Sequence, residues 1–275
     1  STILGKKILK LIKNGINVYS AHTNLDSAKD GLNNYIAQKL LAKDTKIMDE
    51  NFYSVYKMNI FVSKSILAEV LSILNGSREL EFLEYKRVTY TSKVTERVLV
   101  NNEIKELDSY NIQIMGEKNK LYSILNKIRE KHSISEIAFE ILPLENKHKT
   151  GTGLGRFFKL ENPMSLEEYI IFVKDKLNLD FVKVVKANDK LIKKVAIVNG
   201  SGAEFWKKAY DMGADVFITG DFKYHNALDA YEKGLNIVDI GHYEAEHFFY
   251  EIIIKKLDDN LRVEVYNEKR ILEIK

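Results

Sequence analysis

Three short stretches carry the residues best suited to chemistry: "AHTNLD" at 21–26, "TGDFKYH" at 219–225 and "GHYEAEH" at 241–247. They supply His22 with Asp26, Asp221 with His225, and His242 with Glu246. Imidazole and carboxylate together suit zinc, iron or manganese, and the chain has no cysteine to offer a thiolate. His242 and Glu246 stand four apart at the start of an expected helix, which stacks them on one face. Each pair also has a plainer reading. His242 and Glu246 could be a helix-surface pair, Asp26 a helix N-cap, and His225 a solvated residue in a first helical turn. Three His/acid pairs at three expected strand ends point instead to one metal or catalytic centre. His247 lies one step round the helix and is expected to face elsewhere.

The elements that must position these residues follow from periodicity. Residues 3–13 have helical spacing and stop at Asn14-Gly15. The pattern then predicts a strand at 16–22, a loop, and a helix at 31–42. From about 54 the texture changes to strand, helix, two strands joined by the polar stretch "NNEIKELD", helix and strand, the β-α-β-β-α-β order of a ferredoxin-like unit. After 149 strands and helices alternate: a helix over 166–177 with Ser165 and Glu168 as capping box, strands at 194–200, 214–221 and 235–242 each followed by a helix, then short strands at 262–267 and 271–275. This alternation predicts a largely parallel sheet with its polar residues at the carboxyl edge, where α/β ligands bind.

Two glycine segments invite a phosphate reading. "NGSGAEF" at 199–205 is a strand-to-helix turn without a full GxGxxG or a Walker lysine. "GTGLGRFF" at 151–158 reads as a flexible segment in which Arg156 could meet a carboxylate or phosphate. Trp206 is expected in a core or interface.

Composition sets the frame. The 275 residues are 45% hydrophobic and 29% charged, enough for a substantial core. With 42 basic and 39 acidic residues the formal charge is +3, which demands no nucleic-acid partner. No apolar run reaches the roughly 20 residues of a membrane span and no signal peptide is evident, so a cytoplasmic protein is expected, with no membrane partner.

The stretches "NVYSAHTNLDSAKDGLN" (17–33), "KVAIVNGSG" (194–202), "ADVFITGDFKYHNALDA" (214–230) and "VDIGHYEAE" (238–246), in that order, resemble the GTP cyclohydrolase 1 type 2 homologues, also called Nif-three-like proteins. The resemblance implies a two-lobed α/β fold with an inserted ferredoxin-like α+β domain similar to PII and CutA. The boundaries would be 1–53 for the C-terminal part of the first lobe, 54–148 for the insert and 149–275 for the second lobe. It implies a toroidal homo-hexamer and a site for two divalent metal ions, with Asp26, His242 and Glu246 as ligands. His22, Asp221 and His225 would stand beside the metals as outer-shell or acid/base groups. The family's upstream His-His pair is missing here, so the chain is expected to be a fragment. The expected activity is metal-dependent hydrolysis of a phosphate-bearing or nucleotide-like small molecule. The alternative is a metal- or ligand-sensing ring protein without turnover.

Overall fold

The computed structural model describes residues 2–82, 85–86, 88–132 and 137–266. Along the chain, helices α1 (Ile3–Lys13), α2 (Thr23–Ser27) and α3 (Leu32–Lys39) precede the long strand β1 (Lys46–Ser63). Helix α4 (Lys64–Gly76), a small ribbon of β2 (Glu81–Phe82) and β3 (Tyr85–Lys86), the hairpin β4 (Thr89–Val100) and β5 (Glu103–Gly116), and α5 (Lys118–His132) follow. Next come β6 (Phe139–Met164), α6 (Leu166–Leu177), β7 (Lys183–Val185), β8 (Ile192–Ile197), α7 (Trp206–Asp211), β9 (Val216–Thr219) and α8 (Tyr224–Lys233). Strand β10 (Asn236–Asp239) and helices α9 (His242–Glu246) and α10 (Phe249–Ile254) complete the described elements. The chain divides into two compact units, Ser1–Asn51 with Gly151–Lys275, and Phe52–Thr150.

In the unit containing the candidate residues, the strand order is β6-β8-β9-β10-β7. β8, β9 and β10 are parallel, while β6 and β7 flank them antiparallel. The largely parallel sheet is therefore true of the centre only. The second half of β8 (Val195–Ile197) and nearly all of β9 and β10 are buried and mostly apolar because both faces are covered. Val195, Ile197, Val216, Ile218 and Val238 pack with Leu32, Ile36, Tyr169 and Val173 on one side. Ala196, Phe217 and Ile237 alternate to the other side, against Trp206 and Ala230. The capping box forms as expected: Ser165 Oγ accepts from Glu168 N at 3.2 Å, and Ser165 N donates to Glu168 Oε2 at 2.7 Å. In the unit 52–150 the order is β4-β5-β1-β6, with α4 and α5 packed through Val70, Leu74, Leu121, Leu125 and Ile128 onto Met58, Ile60, Ile112 and Ile114.

Several expectations change. Residues 16–21 form no strand, since none of the described strands pairs with them, and Val18 and Tyr19 are exposed. The polar stretch 103–108 is strand: Asn101 (φ 52°) and Asn102 (φ 63°) both adopt left-handed backbone, so the turn is the two-residue hairpin type that asparagine tolerates, and β5 begins directly after it. The glycine-rich stretch 151–158 is the paired body of β6. Residues 262–266 carry no strand, and 267 and 271–275 lie outside the described residues. No helix among the described residues is long and apolar enough to cross a membrane.

Candidate metal centre

Two of the three parallel strands, β9 and β10, end in the residues singled out from sequence, and the loop after β8 runs beside them. After β9, Asp221 takes a left-handed backbone (φ 55°), a conformation asparagine and aspartate reach more readily than most residues. After β10, Gly241 is also left-handed (φ 87°), and a Cβ there would lie 2.1 Å from Glu244 Oε2, so only glycine fits. The next residue, His242, opens α9. After β8, Gly200 (φ 61°) passes so close to Glu246 that a Cβ would sit 2.6 Å from its Oε1.

The result is a wired chain of three side chains. His242 Nδ1 meets Asp221 Oδ2 at 2.7 Å, and His242 Nε2 meets Glu246 Oε1 at 3.2 Å. Burial alone would lower the His242 pKa, but the hydrogen bond from Asp221 and the charges of Glu246 and Asp221 raise it above the ordinary value. The i, i+4 spacing of His242 and Glu246 brings them together as the sequence predicted.

Asp26 approaches from the N-terminal segment, in α2. Its Oδ1 accepts from Asn199 Nδ2 at 2.9 Å. Asn33, fully buried on α3, joins both partners: its Nδ2 donates to the Asp26 carbonyl at 3.1 Å and its Oδ1 accepts from Asn199 N at 2.9 Å. Burial pushes the Asp26 carboxyl above its usual range, while Asn199 and the charges of His22 and His242 pull it partly back. Asp26 sits within α2 and does not cap the helix that follows, since Gly31 is the N-cap residue of α3. A cavity of about 200 Å³ is lined by His22, Asp26 and Glu246 with Ala21, Leu25, Leu32 and Phe249.

Arg156 has a different task from the one its sequence context suggested. It is buried, and its guanidinium donates to four backbone carbonyls: Gly153 and Gly155 (Nη1, 2.9 and 2.8 Å) and Ala28 and Lys29 (Nη2, 2.9 and 3.0 Å). It therefore pins the turn that follows Asp26 onto β6. In "NGSGAEF" two of the backbone N–H groups are already used: Asn199 N donates to Asn33 Oδ1 at 2.9 Å, and Gly202 N to Gly200 O at 3.0 Å and Thr219 Oγ1 at 3.1 Å.

His225 is exposed, with its ring edge-on to Tyr224, and makes no hydrogen bond or ion pair to the cluster among the described residues. His247 turns away as expected, packing on Tyr243 and Phe248. Among the described residues no three His, Asp or Glu side chains close tightly enough to enclose an ion. Sequence reasoning missed Asn33 and Asn199, whose signal was only a polar residue inside an apolar helix face and one at a strand end.

This fold and edge-of-sheet cluster define an α/β protein with a His/carboxylate centre at the carboxyl ends of its parallel strands. Residues 1–271 match DUF34/NIF3 (NGG1p interacting factor 3), and the chain belongs to that family. It is 33% identical over 264 residues to a Bacillus subtilis (strain 168) "GTP cyclohydrolase 1 type 2 homolog", covering 92% of this chain and 70% of the relative. A Bacillus cereus protein related to NIF3 superposes with a TM-score of 0.71 at 29% identity, covering 98% of this chain and 78% of that one. A Staphylococcus aureus hypothetical protein does so with 0.65 at 28% identity, covering 90% and 68%.

Proposed function

We propose that the protein is a divalent-metal-binding, hydrolase-like member of its family that acts on a phosphate-bearing or nucleotide-like small molecule. The observation that carries this reading is the placement of His242. One ring nitrogen is oriented by Asp221, and the other faces Glu246 at 3.2 Å. Two ligand atoms of one ion lie roughly 3.0–3.4 Å apart, given bonds of about 2.1 Å and tetrahedral to octahedral angles. The outer carboxylate on the far nitrogen is the usual support of a metal-bound histidine. His242 and Glu246 thus supply two donors of the kinds that zinc, iron and manganese take.

His242 Nε2 and Glu246 Oε1 would hold the ion in place of the Nε2 proton, and Asp26, partly buried and raised in pKa, would add a third donor or serve a second ion. A bound ion would lower the pKa of a coordinated water towards neutrality and polarise the substrate. Asp221 holds the ring proton at Nδ1, which leaves Nε2 free as a donor to the ion. His22, exposed on the cavity wall, is the group placed to move a proton to or from substrate, and Leu25, Leu32 and Phe249 line the apolar part of the same cavity. His225 has no part in this arrangement.

We also propose that unit 52–150 is an inserted ferredoxin-like domain, supported by its strand order, and that the protein assembles as a ring-shaped homo-hexamer, supported by family membership. Sedimentation of the purified protein tests the assembly. The activity is tested by metal-stripping the protein, reloading it with Zn²⁺, Fe²⁺ or Mn²⁺ and running a panel of nucleotides and phosphoesters. Turnover restored by metal and lost in Glu246→Ala is expected; turnover indifferent to both would refute the reading.

A further inference from the structure

Asp239 closes β10, three residues before His242, and is 3% exposed. Both of its carboxylate oxygens are used, and each holds a different loop. Oδ1 accepts from Gly241 N at 2.9 Å, and Oδ2 accepts from Phe222 N at 3.1 Å. The first bond fixes the backbone immediately before His242. The second fixes the backbone immediately after Asp221. Both anchor points adjoin left-handed backbone, at Gly241 (φ 87°), where glycine adopts it freely, and at Asp221 (φ 55°), where a side chain makes it less favourable. The loops that Asp239 joins carry the two side chains that meet at 2.7 Å. Lys183 Nζ approaches Oδ2 from the edge strand at 3.6 Å, but its side chain is 70% exposed and screened.

We infer that Asp239 is a positioning residue that sets the Asp221–His242 hydrogen bond by clamping the β9–α8 and β10–α9 loops to one carboxylate. An aspartate is needed because two N–H donors arrive on its two oxygens, and only a carboxylate accepts on both. The neutral asparagine side chain accepts on one oxygen and presents a second N–H to the other donor. Asp239 does not touch the proposed ion or substrate. Its effect reaches them through the orientation of the His242 ring, and in that respect the inference rests on the metal reading above.

The test compares wild type, Asp239→Asn, Asp239→Ala and Lys183→Ala by Zn²⁺ calorimetry and by ¹⁵N-resolved NMR of the His242 ring in metal-free protein. Removing support of a metal-bound histidine typically lowers affinity about 10- to 100-fold. The expected result is a loss of about tenfold for Asp239→Asn, a larger loss for Asp239→Ala and none for Lys183→Ala. The hydrogen-bonded Nδ1–H signal of His242 should shift or vanish in both Asp239 variants. Should Asp239→Ala fail to fold, the near-isosteric Asp239→Asn decides. A folded Asp239→Asn with an unchanged His242 signal overturns the assignment, even if its melting temperature falls. If wild type binds no Zn²⁺, the metal reading fails, and the NMR comparison still decides the clamp.

Discussion

The two sides of the centre are built by opposite means. The His242 side is wired through charge: a half-exposed imidazole stands between Asp221 and Glu246, on loops that leave rigid, doubly covered strands. The Asp26 side is held by neutral amides: Asn199 donates to the Asp26 carboxylate and Asn33 to the Asp26 backbone carbonyl, with Arg156 pinning the turn behind them. Asp221 and Glu246 raise the pKa on the first side, and burial raises it on the second. Under the proposed function, a divalent cation would relieve both.

Breaking the Asp26 side at its anchor should have the largest effect. Arg156→Met leaves buried carbonyls without donors and is expected to cost about 3 kcal/mol or more, read by urea unfolding. On the His242 side, His242→Ala removes a proposed ligand itself and should abolish saturable Zn²⁺ binding, a loss beyond the roughly 100-fold of an outer-shell change, while costing less stability than Arg156→Met; equilibrium dialysis and urea unfolding separate the two effects. Asp221→Asn sharpens the contrast: Zn²⁺ affinity should fall about tenfold, and the His242 pKa should drop when followed by NMR.

The pH dependence follows from the directions of the shifts. His242 is raised, so its contacts stabilise the metal-free fold fully below the unfolded value of about 6.5 and lose that contribution as pH rises through the raised folded value. Metal and proton compete for Nε2, so affinity should weaken as pH falls through the same range. Asp26 is also raised, and its ionised form therefore works against folding at neutral pH. Asp26→Asn should raise the melting temperature of the metal-free protein by about 2 °C while lowering metal affinity. A lower melting temperature would contradict the account of that side.

The same contrast governs what the sequence revealed. The His242 side was legible because its signal is local: one i, i+4 pair at a strand end, with Asp221 at the end of the neighbouring parallel strand. The apolar stretches of β8 (from Val195), β9 and β10 and the Ser165 capping box were readable for the same reason. The Asp26 side depends on long-range partners. Asn199 is 173 positions from Asp26 and Arg156 is 128 from Ala28, and no spacing rule links them. The alternating residues 16–22 looked like a strand, but a strand exists only with a neighbour to receive its hydrogen bonds. The hairpin turn at Asn101–Asn102 was hidden because the charged residues after it read as a loop, although paired asparagines are a left-handed turn signal. His225 had the right type and the right neighbourhood, yet its helical phase leaves it in solvent.

The most direct test of the central claim is Zn²⁺ titration of the purified, metal-stripped protein beside His242→Ala and Glu246→Ala. Saturable binding by wild type with release of protons, lost in both variants, is the predicted result. Equal binding by all three proteins, or none by wild type, would contradict it.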